Sequence, residues 1–152
     1  MYKRQISTNL SLAYNTSRYF LKHVAQTKNG ALILIGSTAG IYGEAGHADY
    51  AAAKGAITSG LLRTLKNDAA QIGNGVRVNA IAPGPFPSMM LGSAVNHDYS
   101  GIAVRNPRKR VGTPEDIAGL AIFLCSRAGS YTIGETITCD GGLVNAAGHD
   151  LS

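Results

Sequence analysis

Apolar positions along the chain change period several times, and each change marks an element. Ile6, Leu10, Ala13, Tyr14, Ser17, Leu21 and Val24 recur at three- and four-residue intervals, which predicts an amphipathic helix over about 6–27, ended by Asn29-Gly30. Ala31-Leu32-Ile33-Leu34-Ile35 is an unbroken apolar run, the pattern of a strand buried on both faces in a parallel sheet. Helical spacing returns over roughly 48–72 and closes at Gly73-Asn74-Gly75. Val76-Arg77-Val78-Asn79-Ala80-Ile81 reads as a second strand, broken by Pro83-Gly84-Pro85. Residues 85–112 show little periodicity and read as a long irregular stretch, of the kind that is usually functional in a compact domain. Thr113-Pro114-Glu115-Asp116 starts a helix with a Thr cap, a Pro in the first turn and acids at the positive end of the dipole. That helix runs to about Ser126, and a last strand covers Glu135 to Cys139, stopped by Asp140-Gly141-Gly142. Helix, strand, helix, strand, loop, helix, strand is the order of an α/β parallel sheet with crossover helices.

Composition agrees with that pattern. The 152 residues suffice for one domain, and 45% apolar with only 15% charged residues is a folded α/β profile rather than a disordered one. No apolar run approaches the length of a membrane span, and the start lacks a signal-peptide pattern, so no membrane partner is expected. Cys125 and Cys139 have neither metal-ligand spacing nor enough partners for a disulfide framework; both read as small buried residues of a reducing, cytoplasmic protein. His23, His47, His97 and His149 lack ligand-like spacing and read as surface or loop residues, and no metal is expected.

The net charge of +5 is partly suspect. Met1-Tyr2-Lys3-Arg4-Gln5 back-translates to GTG-TAT-AAG-AGA-CAG, similar to the transposon-end adapter of sequencing libraries, so residues 1–5 read as a scar outside the fold. Without Lys3 and Arg4 the charge falls from +5 to +3. The other basic cluster, Arg105 to Arg110, contains a Pro and no interleaved aromatics; it reads as a solvated loop, and no nucleic-acid partner is expected.

The stretch "LIGSTAGIYG", Leu34 to Gly43, follows the first strand and invites comparison with a phosphate-binding loop. A phosphate cradle needs its last glycine at a helix start. Here helical pattern resumes only near Ala48, the spacing is G-x-x-x-G-x-x-G, and no acid-ended strand follows about twenty residues on. The stretch works better as a catalytic strand end, with Ser37 just past the carboxyl end of a buried strand. Tyr50 and Lys54 lie four apart on the next helix and share a face. An ammonium beside a phenol favours the phenolate, which suits proton exchange with an alcohol or carbonyl near neutral pH, and Ser37 can donate to the same oxygen. Taken alone, Y-x-x-x-K reads equally as a surface lysine beside a half-buried tyrosine. Asp140 reads as a turn residue before two glycines.

Asn9 in the first helix, Ser37, Tyr50, Lys54 and the segments "VNAIAPGPF", "RVGTPEDIAGLAIFL" and "GETITCDGG" together resemble the short-chain dehydrogenase/reductase family, from about Ile6 to Gly142. The resemblance implies that Asn9, Ser37, Tyr50 and Lys54 form a catalytic tetrad. Tyr50 is then the acid/base, Ser37 orients the substrate oxygen, Lys54 binds the nicotinamide ribose, and Asn9 holds a relay water. It further implies that Pro83, Gly84, Phe86 and Ser88, with Tyr50 and Lys54, contact NAD or NADP. The implied partners are a small alcohol or carbonyl substrate and, in a full-length parent, copies of the same chain as a homodimer or homotetramer. The small residues Ala52, Ala56, Ser59 and Gly60 would serve that contact, or else pack tightly on the chain's own sheet.

The family's glycine-rich phosphate loop has no counterpart here. The expected fold is therefore the C-terminal half of a Rossmann-like doubly wound parallel sheet with the N-terminal phosphate-binding half absent, residues 6–152 being the catalytic half. The expected function is that of a fragment of an oxidoreductase interconverting a secondary alcohol and a ketone, inactive as it stands. The alternative is a non-catalytic remnant or association module. The wider pattern is similar to both 3-oxoacyl-carrier-protein reductases and gluconate 5-dehydrogenase-like enzymes, so the substrate stays open.

Overall fold

The computed structural model describes residues 2–144. Three parallel strands form one sheet: β1 (Asn29–Ile35), β2 (Gly75–Pro83) and β3 (Thr136–Cys139), in the order β1-β2-β3. The β1–β2 ladder runs from Asn29 opposite Gly75 to Ile35 opposite Ile81, and β2–β3 from Ala80 opposite Thr136 to Pro83 opposite Cys139. Parallel pairing puts all three carboxyl ends on one side, and the strands adjoin as their apolar runs predict.

The first helix is continuous but not uniform. It comprises α1 (Tyr2–Gln5), a π-helical segment Ile6–Ser11 and α2 (Leu12–Thr27). Its end differs from expectation. Lys28 closes it in the left-handed conformation at φ 56°, with its N–H bonded to the Val24 carbonyl, while Asn29 and Gly30 already belong to β1. On its inner face Ser17 and Val24 are buried and Leu10, Ala13, Phe20 and Leu21 pack on the core, but Ile6 and Tyr14 are exposed.

A short helix α3 (Ala39–Tyr42) precedes α4 (Ala48–Ala56), a second π segment Ile57–Leu61, and α5 (Leu62–Ile72). α2 and α5 lie on one face of the sheet, and between them Val24, Leu34, Ile57, Leu62, Leu65, Ala69, Val76, Val78 and Ala80 form the core. Each fully buried Leu, Ile or Val there contributes roughly 1.5–3 kcal/mol. Residues 85–112 are not irregular throughout: they hold α6 (Met89–Ala94) and α7 (Ser100–Arg105). Both helices are too short for a hydrophobic period to show. α6 is started instead by a cap, the Ser88 hydroxyl accepting from the Leu91 N–H at 3.1 Å.

α8 (Pro114–Cys125) packs against β1 and β2. Its start is as expected: Asp116 accepts from the Thr113 N–H at 2.8 Å and takes a bidentate pair with Arg110, one arm at 2.9 Å. The Arg110 guanidinium and the Thr113 N–H hold the Asp116 carboxyl far below the usual carboxylate range. At the other end Arg77 of β2 donates to the carbonyls of Leu124, Cys125 and Ser126, placing a cation on the helix's negative pole. α8 is apolar on nearly every side, so its outer face cannot be buried by this sheet, and Ile122 and Phe123 stay exposed. The expectation of two buried cysteines fails for the same reason: Cys125 on α8 is exposed, and Cys139 at the end of the edge strand β3 is only partly buried. No helix of the described residues is long and apolar enough to cross a membrane.

Candidate active site

The carboxyl ends of β1 and β2 are stitched together beyond the ladder. Gly36 N–H donates to the Ile81 carbonyl at 2.8 Å and Thr38 N–H to the Pro83 carbonyl at 3.0 Å. Ser37 between them is buried, and its Oγ accepts from the Ala39 N–H at 3.2 Å. The amides of Gly40, Ile41, Tyr42 and Gly43 are bonded to Ser37, Thr38, Thr38 and Ala39 carbonyls respectively. A phosphate cradle needs free, converging N–H groups; here they are bonded within the protein, so the stretch that resembles a glycine-rich loop cannot act as one.

The same turn brings in α4. A Cβ built on Gly40 would lie 2.6 Å from both Gly55 N and Lys54 C, and one on Gly55 would lie 2.9 Å from Gly40 O. Two glycines thus let the backbone after Ser37 touch the backbone of α4 at Lys54. Lys54 Nζ then reaches the Ile35 carbonyl at 3.0 Å and lies 5.7 Å from the centre of the Tyr50 ring. Burial pushes the Lys54 ammonium below its ordinary value of 10.5. Tyr50 is half-buried in the first turn of α4, where its N–H donates to Asp49 Oδ1 at 2.9 Å.

Of the other expected site residues, Asn9 lies on the first π segment, which packs against α4, and its amide donates to Gln5 Oε1 at 2.6 Å within its own helix. Pro83 ends β2 and Gly84 follows it, the Gly84 N–H bonding the Cys139 carbonyl at 2.9 Å. The Phe86 ring fills the space where Gly112 lacks a side chain. Ser88 spends its hydroxyl on the cap of α6. Ser37, Lys54, Pro83 and Gly84 therefore share one end of the sheet, whereas Phe86 and Ser88 are anchored in the segment leading away from it.

Two cavities open nearby. One of about 360 Å³ lies between Phe86, Asn106, Arg110 and Asp140, and one of about 570 Å³ is lined by Gly40, Tyr42, Thr58, Arg63 and Thr136. Neither of these two is lined by Ser37, Tyr50 or Lys54. Asp140 is a turn residue, its carboxylate accepting from the Gly142 and Val144 N–H groups. His23, His47 and His97 are exposed, and His149 lies outside the described residues. The described residues hold no cluster of three or more His, Cys, Asp or Glu suited to a metal.

Three polar residues escaped the sequence reading. Asn79, buried in β2, donates to the Thr132 carbonyl and accepts from the Glu135 N–H, fixing the approach to β3. Asn106, also buried, donates to the Asp140 carbonyl. Thr58, buried at the second π segment, donates to the Lys54 carbonyl at 3.1 Å. The available signal for Asn79 was a polar side chain directly ahead of the apolar Ala80-Ile81-Ala82.

A family model described as enoyl-(acyl carrier protein) reductase matches residues 1–144. With the fold and the residues at its sheet end, this makes the chain a member of the short-chain dehydrogenase/reductase family. The 3-oxoacyl-[acyl-carrier-protein] reductase FabG of Chlamydia pneumoniae is 37% identical over 139 residues, which are 91% of this chain and 54% of that protein. The reductase of the same name from Thermotoga maritima is 34% identical over 139 residues, 91% of this chain and 55% of that one. A solved gluconate 5-dehydrogenase from Burkholderia cenocepacia, in complex with NADP and tartrate, is similar with a TM-score of 0.87 at 31% identity, covering 96% of this chain and 57% of that one. The chain spans about half the length of the curated relatives it matches.

Proposed function

We propose that this chain carries the catalytic half of an NAD(P)-dependent oxidoreductase that interconverts a secondary alcohol and a ketone, with Tyr50 as the acid/base. The observation that carries this reading is the Lys54 ammonium held at 3.0 Å on the Ile35 carbonyl, which sets Tyr50 and Lys54 of α4 beside the strand end bearing Ser37. Family membership, and the NADP in the Burkholderia structure, support it.

The donor set fits the nicotinamide end of the cofactor. One Lys54 N–H goes to Ile35, leaving two for vicinal hydroxyls of a ribose. The backbone at Pro83, Gly84 and Phe86 edges the same sheet end, and Ser88 stands at the start of the helix beyond. NAD or NADP, when bound, supplies or accepts the hydride. In the reducing direction the Tyr50 hydroxyl gives its proton to the substrate carbonyl oxygen as that oxygen gains negative charge; in the oxidising direction the phenolate takes it back. The Ser37 hydroxyl donates to the same oxygen and orients it. Lys54 stabilises the phenolate left behind, and Asn9, on the segment packed against α4, holds a water that returns a proton toward Lys54.

The same reading gives Ala52, Ser59 and Gly60, all exposed, to contact with a second copy. A second reading is favoured by one observation: the loop from Gly36 to Gly43 donates its amides internally and leaves no pyrophosphate cradle there. On that reading the chain is a non-catalytic remnant or an association module without cofactor binding.

The test joins the N-terminal portion of the Thermotoga maritima relative ahead of Ile6 and assays the chimera with NADH and NADPH on 3-oxoacyl and sugar-acid substrates. Saturable turnover that disappears in Tyr50→Phe is the expected result. Turnover indifferent to Tyr50 would overturn the assignment.

A further inference from the structure

We propose that Gly36 and Thr58 form a spacing device, in which Thr58 is a positioning residue that sets α4, and so Tyr50 and Lys54, at its working distance from Ser37. The proposal rests on the functional reading above for the word working; the geometry stands independently of it.

Thr58 touches three elements through three different groups. Its hydroxyl donates to the Lys54 carbonyl at 3.1 Å, one turn back. Its carbonyl accepts from Thr136 Oγ1 of β3 at 2.9 Å. That carbonyl is open to Thr136 because of the π segment: the Leu62 N–H, which in an α-helix would bond Thr58, goes to the carbonyls of Ile57 and Ser59 instead. Its methyl, Cγ2, occupies the space in which Gly36 has no side chain, so a Cβ on Gly36 would overlap it. Gly36 immediately precedes Ser37 and is itself pinned to the Ile81 carbonyl at 2.8 Å. One side chain therefore gauges the gap between the helix carrying Lys54 and the strand end carrying Ser37.

The remaining neighbours make the contact separable by size. Apart from Cγ2, the nearest atoms to a Cβ on Gly36 are the Ile81 carbonyl oxygen at 3.4 Å and Thr58 Cβ at 3.6 Å, both ordinary contacts. An added methyl at 36 is thus incompatible with threonine at 58 and compatible with serine, which keeps the hydroxyl to Lys54 and lacks the methyl. Overpacking of this kind moves backbone when neither side can yield; Gly36 is held in the sheet by Ile81, so the displacement is expected on the helix carrying Lys54 and Thr58.

The test uses the 152-residue chain and reads the titration midpoint of the Lys54 amine from the pH dependence of trace acetylation, measured by peptide mass spectrometry. The wild-type midpoint is expected below the ordinary lysine value of 10.5, as burial of the ammonium beside Ile35 requires. Gly36→Ala is expected to move α4 outward and bring the Lys54 midpoint up toward the ordinary value of 10.5. Thr58→Ser alone should leave it near wild type, and Gly36→Ala combined with Thr58→Ser should restore it. An unmoved midpoint in Gly36→Ala overturns the proposal. So does a double variant that fails to restore it, and that holds if Gly36→Ala alone does not fold, since the double variant removes the overlap. No turnover enters this readout. Loss of Tyr50 dependence in the chimera therefore sinks the function alone, and an unrescued Lys54 sinks the spacing alone.

Discussion

The Lys54 ammonium donates to the Ile35 carbonyl at 3.0 Å, tying the last turn of α4 to the last residue of β1 across nineteen positions of sequence. Because burial lowers the Lys54 pKa from 10.5, the charged form is the one the fold disfavours. The unfolded chain then holds more protons than the folded one between the two values, so this residue's contribution to stability is full above 10.5 and is lost as pH falls through the lowered value. Lys54→Met keeps the aliphatic stem and removes the titration. The stability of the wild type relative to this variant, from thermal melts at a series of pH values, should rise as pH approaches 10.5. A flat difference would show that Lys54 is solvated.

Tyr50→Phe keeps the ring and removes only the transferable proton. In the chimera, kcat should fall by about 10²–10⁴-fold, the usual worth of positioned acid/base catalysis, with little change in KM for the cofactor. Steady-state kinetics with varied NADPH separate the two.

The 152-residue chain should show no dehydrogenase turnover and no micromolar binding of NADH or NADPH by fluorescence titration. Hydrogen bonds to charged groups are worth about 1.5–3 kcal/mol each, and the loop from Gly36 to Gly43 offers no such bonds to a pyrophosphate. Binding energy from the remote end of a cofactor is what positions its reacting carbon. Saturable turnover by the chain alone would refute this.

Asp116→Asn should lower the melting temperature at neutral pH. The Asp116 carboxyl titrates below its unfolded value because the Arg110 guanidinium and the Thr113 N–H favour its charged form. That stability is present above the ordinary carboxylate range and is lost as pH falls through the depressed folded value. The gap between wild type and variant should accordingly close in strong acid.

Gly55→Ala should destabilise the chain by about 1–3 kcal/mol, the range for overpacking, although alanine normally favours a helix. The added methyl meets the Gly40 carbonyl oxygen at 2.9 Å, backbone against backbone, so no side chain can swing aside. Urea melts measure it, and a stabilised variant would mean that the two turns are not in contact.

Much of the architecture is legible in the sequence because it is written in local patterns. The apolar runs of β1 and β2, the capping residues before α8 and the four-residue spacing of Tyr50 and Lys54 each depend on neighbours within a turn or a strand. The errors fall where that locality ends. Nothing near Cys125 tells that the outer face of α8 has no element over it. Nothing near Ile6 or Tyr14 tells how far the sheet extends beneath the helix. α6 is too short to display a period and is announced only by Ser88.

By itself, then, the sequence determined the order of the elements, the parallel sheet they imply, and the set of residue types brought to the carboxyl end of two strands. Backbone propensity and hydrophobic period act over a few residues, and those features need no more. Only the tertiary structure decided that the Gly36 and Thr38 amides are bonded to the end of β2, that Lys54 is anchored on Ile35, and that Thr58 measures the gap to Gly36. The bonds of Gly36 and Thr38 to Ile81 and Pro83, the Lys54 anchor and the Thr58 contact join segments distant in the chain. They exist because paired glycines and a π segment let backbones approach more closely than side chains ordinarily allow.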